Sequence, residues 1–228
     1  MSRARFDAIL FDAGGVLVLP DPAVLAPLLA PYGADPSVAA HTRAHYAGMA
    51  AKSRSEQGED DWSGYNLAYV RALGVPGHEE AEAAFLLGRT RSSHLWRAPI
   101  PESVAALHEL AARDACIGVV SNASGQIEAT LRRFAVCQVG GGHGAPVRCV
   151  VDSGLVGVAK PDPAIFGFAL DALGVTAART AYVGDSVATD VAAARAGGLA
   201  PLLLDPFDDW AGSPYERIPS LGVLLSWV

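Results

Sequence analysis

Short apolar runs and longer amphipathic stretches alternate along this chain of 228 residues. Four runs have the length and composition of buried parallel strands: "AILF" at 8–11, "CIGVV" at 116–120, "TAYVG" at 180–184 and "PLLLD" at 201–205. Between and after them, apolar side chains at helical spacing predict helices over 101–113, 126–134, 161–173 and 187–196. The alternation predicts an α/β fold with a doubly wound, Rossmann-like parallel sheet, which binds ligands at the carboxyl ends of its strands.

The segment from residue 21 to 94 interrupts this alternation, because it contains helical patterns and no convincing strand. Asp35, which Pro36 follows, predicts the N-cap of a first helix over 34–52. A second helix is predicted over 60–73, with Gly74 as its stop. The domain division that follows is a smaller, all-helical cap domain at 21–94, inserted into an α/β catalytic core made of 1–20 and 95–228.

Composition and charge exclude several classes of protein. Hydrophobic residues make up 51% of the chain, enough for a sizeable core, and the formal net charge of −7 offers no basic surface for nucleic acid. No apolar run is long enough to span a membrane. Three cysteines without a C-x-x-C pair indicate a reducing compartment, so we expect a cytoplasmic protein. Both a monomer and a homodimer are compatible with the sequence.

Polar side chains occur where the predicted strands end and where the helices after them begin. Any one of these residues alone is most often a turn former or a helix cap. Together they occupy the positions at which an α/β sheet places ligand-binding groups. The residues are Asp12, Ser121, Asn122, Lys160, Asp185 and Asp190.

Four motifs contain these residues in chain order: "FDAGGV", "VVSNAS", "KPDPAIF" and "VGDSVATD". In this order and spacing they resemble the four motifs of the haloacid dehalogenase superfamily of hydrolases. The helical insert is similar to the cap that members carry after the first motif, so the resemblance covers nearly the whole chain. It implies a phosphatase-like hydrolase that acts on a small phosphorylated metabolite.

The resemblance also implies how each residue acts on a phosphate group. Asp12 would be the nucleophile that attacks phosphorus in line and forms an aspartyl-phosphate. The Ser121 hydroxyl, the Asn122 amide and the backbone near Gly15 would donate hydrogen bonds to phosphoryl oxygens. Lys160 would neutralise the transferring charge and keep Asp12 ionised.

A magnesium site is implied at the same place. Its ligands would be Asp12, the backbone carbonyl of Gly14, Asp185 and, directly or through water, Asp190. Magnesium prefers such oxygen ligands in an octahedral arrangement and keeps some of its water. The resemblance therefore implies Mg²⁺ as the cofactor.

The first motif departs from the phosphatase pattern at Gly14. Phosphatases of this family usually carry a second Asp two residues after the nucleophile, which protonates the leaving group and later activates water. General acid–base help of this kind is typically worth about 10²–10⁴ in rate. Unless a cap residue or water replaces it, the sequence predicts a slow enzyme or one limited to good leaving groups.

Three functions remain open for this sequence. Retention of Asp185 and Asp190 favours a magnesium-dependent phosphatase, because hydrolytic dehalogenases need no metal. Other chemistry on the same scaffold is the second, including a phosphonoacetaldehyde hydrolase-like reaction in which Lys52 of the cap forms an imine. The usual role of such a lysine is a solvated helix end. The third is a regulatory protein that binds phosphate with little turnover.

Other groups of side chains are interpreted as structural. His41 and His45 lie four residues apart on a predicted helix, but no Glu follows His41 as in the H-E-x-x-H zinc motif. Cys137, His143 and Cys149 flank the glycine-rich stretch 138–149, which we predict to be a loop, and they lack a fourth ligand. Packing within the cap is also the expected role of three aromatic residues, Tyr46, Trp62 and Tyr65.

Overall fold

A computed structural model describes residues 5–55 and 61–227, apart from the side chain of Ser93. Its strands are β1 (Ala8–Phe11), β2 (Val18–Pro20), β3 (Trp96–Pro99), β4 (Ile117–Ser121), β5 (Cys137–Val139), β6 (Ala145–Val147), β7 (Val150–Asp152), β8 (Thr180–Gly184), β9 (Ala200–Leu204) and β10 (Arg217–Ile218). Six of them form a parallel sheet in the order β10-β9-β8-β1-β4-β7. The prediction of an α/β fold with a doubly wound parallel sheet is confirmed.

Helices cover the sheet and form the insert after β2. They are α1 (Pro22–Leu29), α2 (Val38–Arg54), α3 (Ser63–Ala72), α4 (Glu80–Arg89), α5 (Pro101–Ala112), α6 (Ile127–Arg133), α7 (Ser153–Val156), α8 (Ile165–Leu173) and α9 (Ala192–Ala196). The four predicted strands lie within one residue of the observed ones. No helix of the described ranges is long and apolar enough to cross a bilayer.

Two core helices begin differently from their predictions. Helix α8 starts at Ile165 rather than 161, because a turn that contains Pro163 precedes it, in which the Asp162 carboxylate accepts the Ala164 N–H at 2.9 Å. The helix predicted over 187–196 begins as a π-turn at Val187–Val191 and continues as α9. Such π-turns often occur at functional sites.

The cap contains two helices that the sequence patterns missed, α1 and α4. The N-cap predicted at Asp35 is wrong: Ser37 holds that position and accepts the Ala40 N–H at 3.2 Å. The Asp35 carboxylate instead accepts the Ser37 N–H at 2.8 Å, which forms a turn before the helix. The predicted start of the second cap helix, at residue 60, lies outside the described residues, and α3 is observed from Ser63.

The cap has its own hydrophobic cluster. Tyr65, Tyr69 and Leu73 of α3 pack there with Leu25 of α1 and Leu87 of α4. The residues of the parallel sheet belong to two other clusters. The antiparallel pair β2–β3 lies where the insert leaves and rejoins the core. This arrangement is compatible with the domain boundaries predicted at 20/21 and 94/95, which stay a prediction.

The glycine-rich stretch 138–149 is only partly a loop. Its first residues complete β5 and its later ones form β6, and these two short strands pair in parallel. The loop prediction is therefore wrong at 138–139 and 145–147 and holds for the residues between and after them. Strand β7, which pairs with β4 at the edge of the sheet, was also missed, since three residues are too few for a periodic pattern.

Candidate active site

Three neighbouring strands bring their carboxyl ends to one edge of the sheet. Asp12 follows β1, Ser121 ends β4 and Asp185 follows β8, and these strands are adjacent in the order β8-β1-β4. A cleft of about 480 Å³ opens there between the sheet and the cap, and all three residues line it. The sheet thus brings together residues that are far apart in the sequence.

Lys160 lies at the centre of a buried network. Its Nζ is 2.9 Å from Asp12 Oδ1, 2.7 Å from Asp190 Oδ1 and 2.6 Å from the Tyr182 hydroxyl. Burial alone would lower the pKa of Lys160, but Asp12 and Asp190 outweigh that effect and raise it. Lys160 therefore stays protonated, and its ammonium group is held beside Asp12. Sequence reasoning missed Tyr182 because it lies inside an apolar strand run.

The Asn122 side chain holds the backbone of Lys160. Asn122 Nδ2 donates to the Lys160 carbonyl and Asn122 Oδ1 accepts the Lys160 N–H, both at 2.8 Å. This pair of bonds joins the end of β4 to the loop that carries the lysine. The amide nitrogen has a second N–H, so its expected donation to phosphate stays a prediction beside this positioning contact with Lys160.

Glycine is required at position 15 because the Asp185 side chain approaches the backbone too closely there to leave room for a Cβ. Gly15 has φ +71°, and a Cβ at this position would lie 1.9 Å from Asp185 Oδ2. Its N–H donates to the Val18 carbonyl at 2.8 Å, and its own carbonyl accepts the Tyr46 hydroxyl at 2.7 Å. The turn thus already uses the Gly15 N–H, and donation to phosphate by the backbone near Gly15 stays a prediction.

Asp190 is presented by the π-turn before α9. Its Oδ2 accepts the Ser186 N–H at 3.0 Å, and Ser186 Oγ accepts the Thr189 N–H at 3.2 Å. A Cβ on Gly184 would lie 2.3 Å from Asp190 Cβ, so only glycine at the end of β8 leaves room for this acid. The π-turn and the glycine together place Asp190 beside Asp185.

Asp12, Asp185 and Asp190 fit a divalent cation. Each offers a carboxylate oxygen, and the three atoms lie within 4.8 Å of one another. Burial raises the pKa of Asp12 to about 7; Asp190 and Asp185 add to the rise, and Lys160 opposes it. Burial also raises the pKa of Asp185. Three carboxylate oxygens close together at a cleft are the hard oxygen donor set that Mg²⁺ prefers, so the cluster suits this cation.

His45 contacts this cluster from cap helix α2. The imidazole is 1% exposed, with Nε2 2.9 Å from Asp185 Oδ2 and Nδ1 3.0 Å from the Tyr65 hydroxyl. An ionised carboxylate only accepts hydrogen bonds, so Nε2 donates to Asp185, while Nδ1 pairs with the Tyr65 hydroxyl. We interpreted His45 as structural; only its contact with Asp185, 140 residues away, reveals its place at the site.

The cap side of the cleft contains both cations and indole rings. Lys52, Trp62, Arg91 and Trp96 line it. Lys52 is 7% exposed, with Nζ 4.1 Å from the Trp62 ring centroid, so the expectation of a solvated helix end is wrong. Arg91 and Trp96 belong to no motif, and their position at the end of the insert was the one signal that pointed to them.

The other candidate clusters remain structural. His41 Nδ1 is 2.7 Å from the Tyr69 hydroxyl inside the cap. The cysteines are free thiols, and Cys137, His143 and Cys149 form no metal-ligating group within the described part of the chain.

A parallel α/β sheet that gathers three carboxylates and a lysine under a helical cap defines a hydrolase core of the capped, Rossmann-like class. A family model of haloacid dehalogenase-like hydrolases matches residues 6–198. The chain belongs to this family.

Two curated relatives are phosphatases. The chain is 38% identical to a phosphoglycolate phosphatase of Rhodospirillum rubrum over 125 residues, which cover 54% of this chain and 46% of that protein. It is 32% identical to a phosphoserine phosphatase of Thermus thermophilus over 163 residues, which cover 69% of this chain and 60% of the relative. The matches thus span less than two thirds of either relative's length.

Solved structures share the fold at low identity. A haloacid dehalogenase-type phosphatase from Thermococcus onnurineus has a TM-score of 0.56 and 19% identity, with 96% of both chains covered. The L-2-haloacid dehalogenase from Xanthobacter autotrophicus, with chloropropionic acid covalently bound, has a TM-score of 0.54 and 20% identity, with 97% of both chains covered. Since these two have different activities, the fold alone does not select the reaction.

Proposed function

We propose that this chain is a Mg²⁺-dependent phosphatase that hydrolyses a small phosphorylated metabolite through an aspartyl-phosphate on Asp12. The observation that carries the proposal is the cluster of Asp12, Asp185 and Asp190, with Lys160 2.9 Å from Asp12. Dehalogenation at Asp12 has no use for two further metal-ligating acids. The names of both curated relatives support the same reaction.

Asp12 performs the covalent step in this proposal. Its carboxylate attacks phosphorus in line, the bond from phosphorus to the leaving oxygen breaks, and an aspartyl-phosphate forms. Water then hydrolyses the acyl phosphate, which releases inorganic phosphate and regenerates Asp12. Lys160 stabilises the ionised nucleophile and lies close enough to offset charge on the transferred group.

The other site residues bind and position. The Ser121 hydroxyl is proposed to donate to a phosphoryl oxygen, while Asn122 fixes the backbone of Lys160. Asp12, Asp185, Asp190 and the carbonyl of Gly14 would hold Mg²⁺. When bound, the cation supplies positive charge that stabilises the transferring phosphoryl group. The proposal includes a cytoplasmic location and either a monomer or a homodimer.

A substrate panel tests this function. Purified protein is assayed with aryl, acyl, sugar and nucleotide phosphates, with MgCl₂ or with EDTA, and chloride release from 2-chloropropionate is measured in parallel. Phosphate release that requires Mg²⁺ supports the proposal. Chloride release that persists in EDTA would make the chain a dehalogenase, and phosphate binding without turnover would make it a regulatory protein.

Gly14 leads to a prediction about leaving groups. No acid follows Asp12 at the second position, so the departing oxygen receives no proton from this loop. We expect kcat/KM to depend steeply on leaving-group pKa, with aryl, acyl and anomeric phosphates hydrolysed faster than alkyl phosphates. A series of substituted aryl phosphates measures this slope. A flat series would show that another side chain, such as one from the cap, already supplies the proton.

Gly14→Asp is the matched variant for this prediction. Gly14 has no positive φ, and a Cβ there would lie 3.1 Å from Trp96 Cδ1, so a shift of the indole by a few tenths of an ångström accommodates it. We expect turnover of alkyl phosphates to rise by up to roughly 10²-fold. Gly14→Ala introduces the same Cβ without an acid and should give no increase.

The burial of Lys52 at the cleft favours one second candidate, a carbonyl-phosphonate hydrolase. In this alternative the Lys52 amine condenses with the aldehyde of phosphonoacetaldehyde, loses water and forms an imine. We expect borohydride reduction with this compound to add mass to the Lys52 peptide only if the alternative holds. An unmodified peptide, together with full phosphatase activity in Lys52→Arg, would eliminate it.

A further inference from the structure

Arg91 is a cation at the cleft that forms no ion pair within the described part of the chain. Its guanidinium Cζ is 4.1 Å from the ring centroid of Trp62 and 5.2 Å from that of Tyr65, and the group donates a hydrogen bond to Asn66. Nη1 is buried and bonds to no atom of the described ranges. No carboxylate of those ranges forms an ion pair with Arg91. The rings thus hold a half-buried charge beside the cleft with one of its donors unused.

A buried guanidinium donor without an acceptor is energetically unfavourable when no ligand is bound. A buried donor that lacks an acceptor loses its hydration without compensation. Burial lowers the pKa of Arg91 and Tyr65 opposes the shift, while no acid of the described residues contributes to it. An anionic ligand would satisfy both the charge and the open N–H, and the planar fork of arginine suits a carboxylate.

Lys52 differs from Arg91 in this respect. It also lines the cleft, but it lies near enough to Asp61 to contribute to the lowered pKa of that carboxyl, after the hydrogen bonds from Ser63. Of these two cap cations at the cleft, Arg91 is therefore the one without an acid beside it among the described residues.

Two indole rings connect the nucleophile loop to Arg91. Trp96 lies against Gly14, and its ring centroid is 5.9 Å from that of Trp62. The Trp62 ring in turn packs against the Arg91 guanidinium. Both rings line the cleft. A ligand held at both ends would therefore pass along the two indole rings.

We propose that Arg91 binds a carboxylate at the far end of the substrate, so that the site takes small phosphate monoesters that carry a carboxylate. The proposal rests on the phosphatase function for its catalytic part. A carboxylate matches the single charge of Arg91, whereas a second phosphate dianion would call for more than one cation.

The kinetic test compares phosphoglycolate with 2-hydroxyethyl phosphate, which has a hydroxymethyl group in place of the carboxylate. We expect the wild type to prefer phosphoglycolate in kcat/KM by about 10- to 10²-fold, the usual strength of one charge-assisted hydrogen bond. Arg91→Gln should abolish the preference, so that kcat/KM no longer differs between the two esters. Arg91→Lys keeps the positive charge but loses the planar, two-pronged donor geometry, so it should retain part of the preference for phosphoglycolate.

Arg89→Gln is the matched control. Arg89 is exposed at the end of α4, and its substitution makes the same charge change without altering the cleft lining. The preference for phosphoglycolate should survive it. Equal kcat/KM values for the two esters in the wild type, or an unchanged preference in Arg91→Gln of normal thermal stability, would overturn the proposal.

A binding experiment separates this proposal from the phosphatase function. Phosphonoacetate and ethylphosphonate differ by the same carboxylate and contain no ester to hydrolyse. Calorimetric titration in MgCl₂ should show tighter binding of phosphonoacetate to the wild type, and Arg91→Gln should remove the difference. That result without turnover of any ester supports the carboxylate site and contradicts the phosphatase, whereas turnover without any carboxylate preference contradicts the carboxylate site alone.

Discussion

Asp12→Asn is expected to lower phosphatase turnover by at least about 10⁴-fold, the largest effect we predict, because an amide is too poor a nucleophile to form the acyl phosphate. The substitution conserves volume, and Lys160 keeps its ion pair with Asp190 at 2.7 Å, so the fold should persist. Release of p-nitrophenol from its phosphate ester measures the loss, and thermal unfolding verifies the fold.

Asp171→Asn is the control for this variant. Asp171 is exposed on α8, and its substitution makes the same chemical change outside the cleft. It should leave turnover unchanged. Near wild-type rates in an Asp12→Asn preparation that mass spectrometry shows to be free of deamidated protein would rule out the covalent mechanism.

Asp185→Ala is expected to weaken Mg²⁺ binding by at least about 10²-fold and to remove activity with it, because it deletes a charged ligand from a site with few protein donors. Titration of MgCl₂ followed by calorimetry measures the affinity directly. The activity at saturating Mg²⁺ then separates weak binding from a lost catalytic contribution.

Asp185 also accepts the hydrogen bond from His45, so alanine leaves a buried imidazole without its acceptor. Asp185→Asn keeps an oxygen acceptor and the volume, and isolates the effect on the metal. Asp171→Ala provides an exposed control with the same change of charge. Unchanged Mg²⁺ affinity in both Asp185 variants would show that the metal site is elsewhere.

The strands of the core were predictable because burial on both faces requires continuous apolar runs, which are visible without any partner. The runs at 8–11 and 180–184 match β1 and β8 residue for residue. The short elements were not predicted, because no long apolar run or clear period marks them in the sequence. Strand β7 has three residues. Helix α1 is apolar or proline at every position and so shows no polar face, and α4 buries only Ala83 and Leu87.

The N-cap at Asp35 was misplaced for a related reason. Asp and Ser both cap helices and both form turns, and two such residues lie two positions apart here. Their competition is decided by backbone geometry. The sequence contains both possibilities, and the observed hydrogen bonds identify Ser37 as the cap.

By itself the sequence determined the fold class, the family motifs and the convergence of Asp12, Ser121 and Asp185. Strand ends follow from local apolar patterns, and parallel strands end at one edge of their sheet. Only the tertiary structure decided what faces that edge. His45, Arg91 and Trp96 lie in segments without a motif, and their contacts with the site join positions far apart in the chain. The folded packing of cap on core, which no local periodicity encodes, creates these contacts and so decides what the cleft binds.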